Sequence, residues 1–460
     1  MRHFTLLVIV ACALVLSGAR ARTAKAGGKE PTGIEKEERP LGFDLTGESI
    51  LDDMPIDEAI KDGEIEGEAG VYFQGTDPDD PETPPPPGAV GNGEDADYFF
   101  GVGYLNVAFE SASVNGLQFG IGGLALNQIW WDFERWDPIT ESFDGDVDYD
   151  DAVDDDALLH TAYVQYNVPN SKTSVVLGRK QFKESIVMDG SFHQGMELSV
   201  KDGEAVDVYF SAVEKWADAD LCDLDEMMSL GEIEMNSLDS AGNWGYSLIT
   251  DVEVENGVVT PFAHYHDNVV LVSGVSGKSV LEMDDDISIT FSGAWSRHYE
   301  ETPSSVSDDD EDWSQYLLHQ RVDMQDFFVA GGYYKVSDGL ADAPRGTGIF
   351  QDDFSPMERI GERNNFVNFG DETWADTRIL FLELGYDFGP VEIQLVYGKA
   401  EDDSDDAGEV DSDANEIDLE VKAEITDRIA FQSVFADVDF DHNDENNDYY
   451  YWEGALSASF

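Results

Sequence analysis

Basic residues are scarce in this chain. It has 26 Lys and Arg against 98 Asp and Glu, a formal charge of -72 over 460 residues. Nucleic-acid binding wants a basic patch, so that class of partner is excluded. Cysteine is scarcer still, with two in all. Cys12 lies inside the apolar run from Phe4 to Leu16, not at its end, so lipid attachment is not expected. Arg2 and His3 precede that run, and Ala19-Arg20-Ala21 follows with small residues for cleavage. Residues 1–21 therefore read as a secretory signal peptide. Its removal leaves Cys222 alone, so no intramolecular disulfide is expected. Long apolar runs are also missing. No stretch approaches the roughly 20 residues of a membrane helix. That leaves a soluble, lipid-attached or barrel protein, since barrel strands are only half apolar. So acidic a composition is common in disordered chains. Its aromatic content of 12% and regular alternation argue for a fold. The acidity reads as adaptation to a very salty, halophilic exterior, where screening tempers self-repulsion.

What is present is a long series of strand-like runs. Residues 22–63 form a periplasmic lead, with a short helix from Pro55 to Ile60 and Gly63 just past its end. From 64 to 460 the runs alternate between short turns and long acidic links. Asn115-Gly116 is a short hairpin signal, whereas 129–157, 216–243 and 337–377 are long links. Val258–His266 is followed by a link up to Ser279–Met283. The tally is about 18 strands, with 16 as the alternative, in strict long–short alternation. That pattern predicts an all-β fold. It is a transmembrane antiparallel β-barrel with short periplasmic turns and long extracellular loops.

The strand faces agree. Ile417, Leu419, Val421 and Ala423 oppose Glu416, Asp418, Glu420 and Lys422. Val391, Ile393, Leu395 and Tyr397 oppose Glu392, Gln394, Val396 and Gly398. In the closing run Tyr449–Phe460, Tyr450, Trp452, Gly454, Leu456, Ala458 and Phe460 share the apolar face. A period of two marks a strand between lipid and a wet interior. No second apolar layer is available to cover these faces, and lipid is the simplest cover.

A pore is selective through its lining charges. Parity places His319, Arg321 and Asp323 inward, against Leu318 and Val322. Arg179 and Lys180 lie beside the loop 183–195, which is expected to fold inward as a constriction. The carboxylates Glu416, Asp418 and Glu420 predict either a cation-friendly field or plain salt tolerance. Phe460 is expected to be the assembly signal. The acidic loop from Asp144 to Asp155 fails the EF-hand pattern. Tyr149 stands where Gly is needed and Asp155 where a bidentate Glu is needed, leaving only weak divalent cations in loops. His264 and His266 share a face without a third ligand, and no metal site is expected. Gly120-Ile121-Gly122-Gly123 precedes no helix, so it is not a nucleotide loop. No Gly-x-Ser-x-Gly elbow or Ser/His/Asp arrangement is present, and no catalytic residue is assigned. No cofactor is expected.

Several blocks resemble OprD-like porins. They are the run Asp57 to Gly67, the glycine-rich Leu117 to Ala125, and Tyr163-Val164-Gln165-Tyr166-Asn167-Val168-Pro169-Asn170. Val175-Val176-Leu177-Gly178-Arg179-Lys180 and Asp189-Gly190-Ser191-Phe192-His193-Gln194-Gly195-Met196-Glu197-Leu198 continue the likeness. The family usually has Gln after the Arg, where this chain has Lys180. The resemblance covers 57–215, and beyond it only the strand pattern carries over. It implies an 18-stranded outer-membrane pore of a Gram-negative bacterium. Such a pore admits small hydrophilic solutes and ions, among them amino acids, peptides or carboxylates, past a row of basic lumen residues. Its implied partners are outer-membrane lipids, the barrel-assembly machinery and the solutes themselves, with the pore either monomeric or a homotrimer. Two alternatives stay open: a secreted acidic adhesin or calcium-binding β-protein, and an outer-membrane barrel hydrolase.

Overall fold

A computed structural model describes residues 56–78, 95–137, 142–144, 157–185, 192–201, 205–217, 228–229, 244–266, 270–284, 287–300, 313–336, 377–402, 412–442, 445–446 and 449–460. The predicted signal peptide, most of the lead, the acidic loop 145–156 and Cys222 lie outside them. The predicted helix at Pro55–Ile60 is α1, Ile56–Lys61.

Eighteen long strands follow. They are β1 (Glu64–Pro78), β2 (Asp95–Glu110), β3 (Leu117–Asp137), β4 (Ala157–Asn167), β5 (Thr173–Lys180) and β6 (Phe192–Lys201). Next come β7 (Val206–Ala217), β8 (Gly245–Val254), β9 (Gly257–His266), β10 (Val270–Asp284), β11 (Ile287–Glu300) and β12 (Trp313–Met324). The last six are β13 (Phe327–Val336), β14 (Thr377–Asp387), β15 (Val391–Asp402), β16 (Ser412–Thr426), β17 (Ile429–His442) and β18 (Tyr449–Ser459). Short strands Ser142–Asp144, Met228–Ser229 and Glu445–Asn446 decorate the long-link end.

Each long strand pairs antiparallel with its sequence neighbours, and β1 pairs with β18. The sheet is a closed barrel without a free edge, so the ladder satisfies the strand backbone on both sides. At the seam, Phe460 and Gly67 exchange backbone bonds of 2.9 and 3.2 Å. A Cβ on Gly67 would stand 2.4 Å from the Phe460 ring. Glycine is what lets the terminal aromatic lie flat there. The Asn115-Gly116 hairpin has positive φ at both residues, 52° and 86°, as a two-residue turn of the right twist requires.

One link is corrected. Residues 267–278 were expected to be a link, yet β10 begins at Val270. Gly274, Ser276 and Gly277 read as loop residues, but the Phe262 ring covers the space a Gly274 side chain would take, 2.4 Å from its Cβ position. Gly274 there accommodates a neighbouring ring, not a turn.

The two faces separate cleanly. Leu318 is 63% exposed and Leu380 58%, while Glu416 on the other face is 0% exposed. Leu382, Leu384, Ile393, Leu395, Ile417 and Leu419 continue the exposed apolar band. Apolar outside and charged inside suits hydrocarbon around a polar lumen.

Candidate functional site: the lumen

The lumen is built by the inward half of every strand. From β14 round to β2 it is a carboxylate wall. Glu383, Glu392, Glu416, Asp418, Glu420, Glu453, Glu68 and Glu110 all face in by register. Lys422 is the one basic residue among the described inward positions of these strands, and it pairs with Glu420 at 3.1 Å. Tyrosines hold several carboxylates. Tyr104 donates to Glu68 at 2.7 Å, Tyr72 and Tyr451 to Glu453 at 2.8 and 2.9 Å, and Tyr163 of β4 to Glu110 at 2.7 Å. On β16 the alternation stacks Glu416, Asp418 and Glu420 roughly 7 Å apart along the strand.

The opposite wall, β5 to β13, is balanced. Lys183 pairs with Asp251 at 3.2 Å and Arg321 with Asp323 at 2.8 Å. Lys201 stands opposite Asp207 in register. Between these pairs lie buried polar groups. His193, His264, His266 and His298 are each 0% exposed, with Ser211, Ser247, Ser296 and Gln315 buried beside them. His264 bonds Ser247 at 2.9 Å, and His298 bonds Ser296 at 3.0 Å. The described residues contain no cluster of three metal-ligating side chains.

A short segment narrows the lumen from this balanced side. After β5, residues Gln181 to Ser185 turn inward. The Lys183 backbone N–H donates to Glu197 at 2.6 Å, and Ser185 meets His264 at 2.6 Å. Phe182 is buried and stacks on His193, with centroids 5.7 Å apart. Five consecutive residues thus touch strands β6, β8 and β9. The expected inward loop covered 183–195. Its described part starts earlier, at Gln181, and Phe192 onward belongs to β6.

Most residues picked from sequence parity lie where parity put them. His319 faces Glu383 at 3.1 Å and stacks on Phe381. Arg321 lies over the Phe328 ring at 3.6 Å, close to the short-turn end. Glu392, Gln394, Glu416, Asp418, Glu420 and Lys422 form one inward patch on β15 and β16. Lys180 faces in, over the Tyr163 ring at 4.4 Å. Arg179 is a correction. Adjacent strand residues point to opposite faces, so Arg179 and Lys180 cannot both line the lumen. Arg179 shares the outward face with exposed Leu177 and donates to Gln194 at 2.8 Å and the Leu159 carbonyl at 3.1 Å. Asp437 and Asp439 sit exposed on the outward face of β17. Sequence reading missed Glu383, Glu68 and Glu110. Parity along their strands was the signal that marks them.

Solved structures match over nearly the whole barrel. OpdQ of Pseudomonas aeruginosa aligns with a TM-score of 0.63 at 13% identity, covering 87% of this chain and 99% of that one. OpdO of the same organism gives 0.62 at 15%, covering 88% and 99%. OccAB1 of Acinetobacter baumannii gives 0.64 at 12%, covering 87% and 97%. The fold is that of the OprD porins. No family model and no curated protein matches the sequence. Against the basic lumen row that the OprD resemblance implied, this barrel sets carboxylates along the β14–β2 arc of its wall.

Proposed function

We propose that this chain is an outer-membrane porin through which small hydrophilic solutes and ions diffuse passively, with cations favoured. The carrying observation is the closed 18-strand barrel whose lumen is charged and whose outside is apolar. The short-turn end faces the periplasm and the long-link end the exterior, as in barrels of this class. The carboxylate wall draws cations into a low-dielectric passage, and the balanced wall offers no equal pull on anions. Amino acids and peptides with a net positive end fit this field better than free carboxylates. No residue performs covalent chemistry in this reading, and no cofactor is used. Its partners in this reading are outer-membrane lipids and the assembly machinery, and the barrel works as a monomer or as one of three copies in a homotrimer. Phe460, bonded to Gly67 at the seam, is its assembly element.

Purified protein added to a planar bilayer should give discrete conductance steps. A folded, inserted barrel that stays silent would overturn the reading.

A further inference from the structure

Outward-facing cations in this barrel are distributed unevenly. Among the described strand side chains they are Arg179, Lys215, Arg297, Lys335, Arg378 and Lys399. All six lie within the last few residues at the long-link end of their strands. At the short-turn end the exposed cations Lys172 and Arg428 sit in the turns themselves, not on a strand face. On the strand faces of a chain of charge -72, the outward cations are gathered on that side.

Three of the six converge. Register sets Lys335 of β13 directly opposite Arg378 of β14, and like charges in that position repel. Arg378 donates to Glu401 of β15 at 2.5 and 3.0 Å, and Lys399 reaches the other oxygen of the same carboxylate at 2.6 Å. Register brings Asp413 opposite Glu401, on the side away from Lys335. Tyr316 and Tyr333 flank the Lys335 side, their ring centroids 5.8 Å apart. Phe327 and Tyr386 mark the lower end of the same strands, paired with one another. From there to Lys335 and Arg378 is about 20 Å along the barrel axis, allowing for strand tilt. An apolar band is roughly 25 Å tall, so the cations lie at its upper border, level with headgroups.

We propose that Lys335, Arg378 and Lys399 form a binding site for the phosphate of an outer-leaflet lipid headgroup. Arg supplies the planar fork and the two lysines point charges, while the tyrosines pack against the sugar or glycerol below. The acyl chains then lie on Leu318, Leu380 and Leu382. The site rests on the outer-membrane reading above.

The test uses the full barrel in detergent micelles and in nanodiscs, at low and high salt. The probes are lipid A, its phosphate-free form, phosphatidylglycerol and inorganic phosphate, with bound lipid counted by native mass spectrometry. Lipid A should bind at least tenfold tighter than the phosphate-free form, and the K335Q/R378Q/K399Q variant should lose that margin. Glu401→Gln separates a binding role from a structural one. It should tighten lipid A binding severalfold, because it removes a competing carboxylate. Heat-modifiable migration and unchanged conductance would show that each variant is folded. Equal binding of both lipid A forms, or an unaffected triple variant, would overturn the site. Competition by free phosphate as strong as by lipid A, or an equal preference for phosphatidylglycerol, would refute an outer-leaflet headgroup. Failure of the wild-type barrel to enter nanodiscs would instead strike the outer-membrane reading itself.

Discussion

The two walls of the lumen treat a carboxylate differently. On the β5–β13 side several have a cation bonded to them, as Asp251 has Lys183 and Asp323 has Arg321. On the β14–β2 side tyrosine hydroxyls do the holding, as with Glu68 and Glu453, and Lys422 is the single described inward cation. A hydroxyl donates one hydrogen bond and leaves the negative charge in place. A lysine cancels it. The same residue type is therefore structural on one wall and field-generating on the other. His264 and His298 of the balanced wall reinforce the contrast, since they bond serines, one of them in the inward segment, while His319 reaches across to Glu383.

The comparison breaks most visibly at β16. The E416Q/D418N/E420Q variant removes three charges of the acidic wall without changing shape. Its cation-over-anion permeability ratio at low salt is expected to fall about tenfold, the equivalent of about 1.4 kcal/mol shared among three sites. High salt should blunt the difference, because the screening length shrinks to a few Å.

A second variant leaves both walls alone. Gly67→Val would drive a side chain into the Phe460 ring, and overpacking of this kind costs about 1–3 kcal/mol. The amount of heat-modifiable, assembled protein should drop severalfold while single-channel conductance stays at the wild-type value. Deleting Phe460 should behave alike. Altered conductance with normal assembly would mean that the seam also shapes the pore.

Lys183→Ala acts on the balanced wall. It uncovers Asp251 and removes one fastening of the inward segment. Cation preference should rise about twofold, with noisier open-channel current as the segment loosens. The smallest effect separates two neighbours. Lys180→Gln should raise cation preference slightly, within about 1.5-fold, because Lys180 faces the lumen. Arg179→Gln should change neither conductance nor selectivity, because Arg179 faces outward.

Much of the fold was legible because a barrel strand has a period of two and short turns alternate with long links. Glu416, Asp418 and Glu420 announced their wall by alternation alone. β10 was partly illegible, since Gly274 carries a loop-like identity for a packing reason that only the Phe262 ring reveals. Arg179 was misplaced because adjacency in the chain was read as adjacency in space. The fastening of the inward segment was beyond reach. Ser185 and His264 are joined by a 2.6 Å contact, yet nothing local to either residue indicates the other. The uneven charge of the two walls likewise emerges only when the strand order is closed.

The central claim is that the acidic wall sets the sign of selectivity. The direct measurement is the zero-current potential of single channels across a roughly tenfold gradient of potassium chloride, where screening is weakest on the dilute side. The dilute side should become positive, and the E416Q/D418N/E420Q variant should bring that potential most of the way to zero. A dilute side that turns negative, or a variant that leaves the potential unchanged, would contradict it.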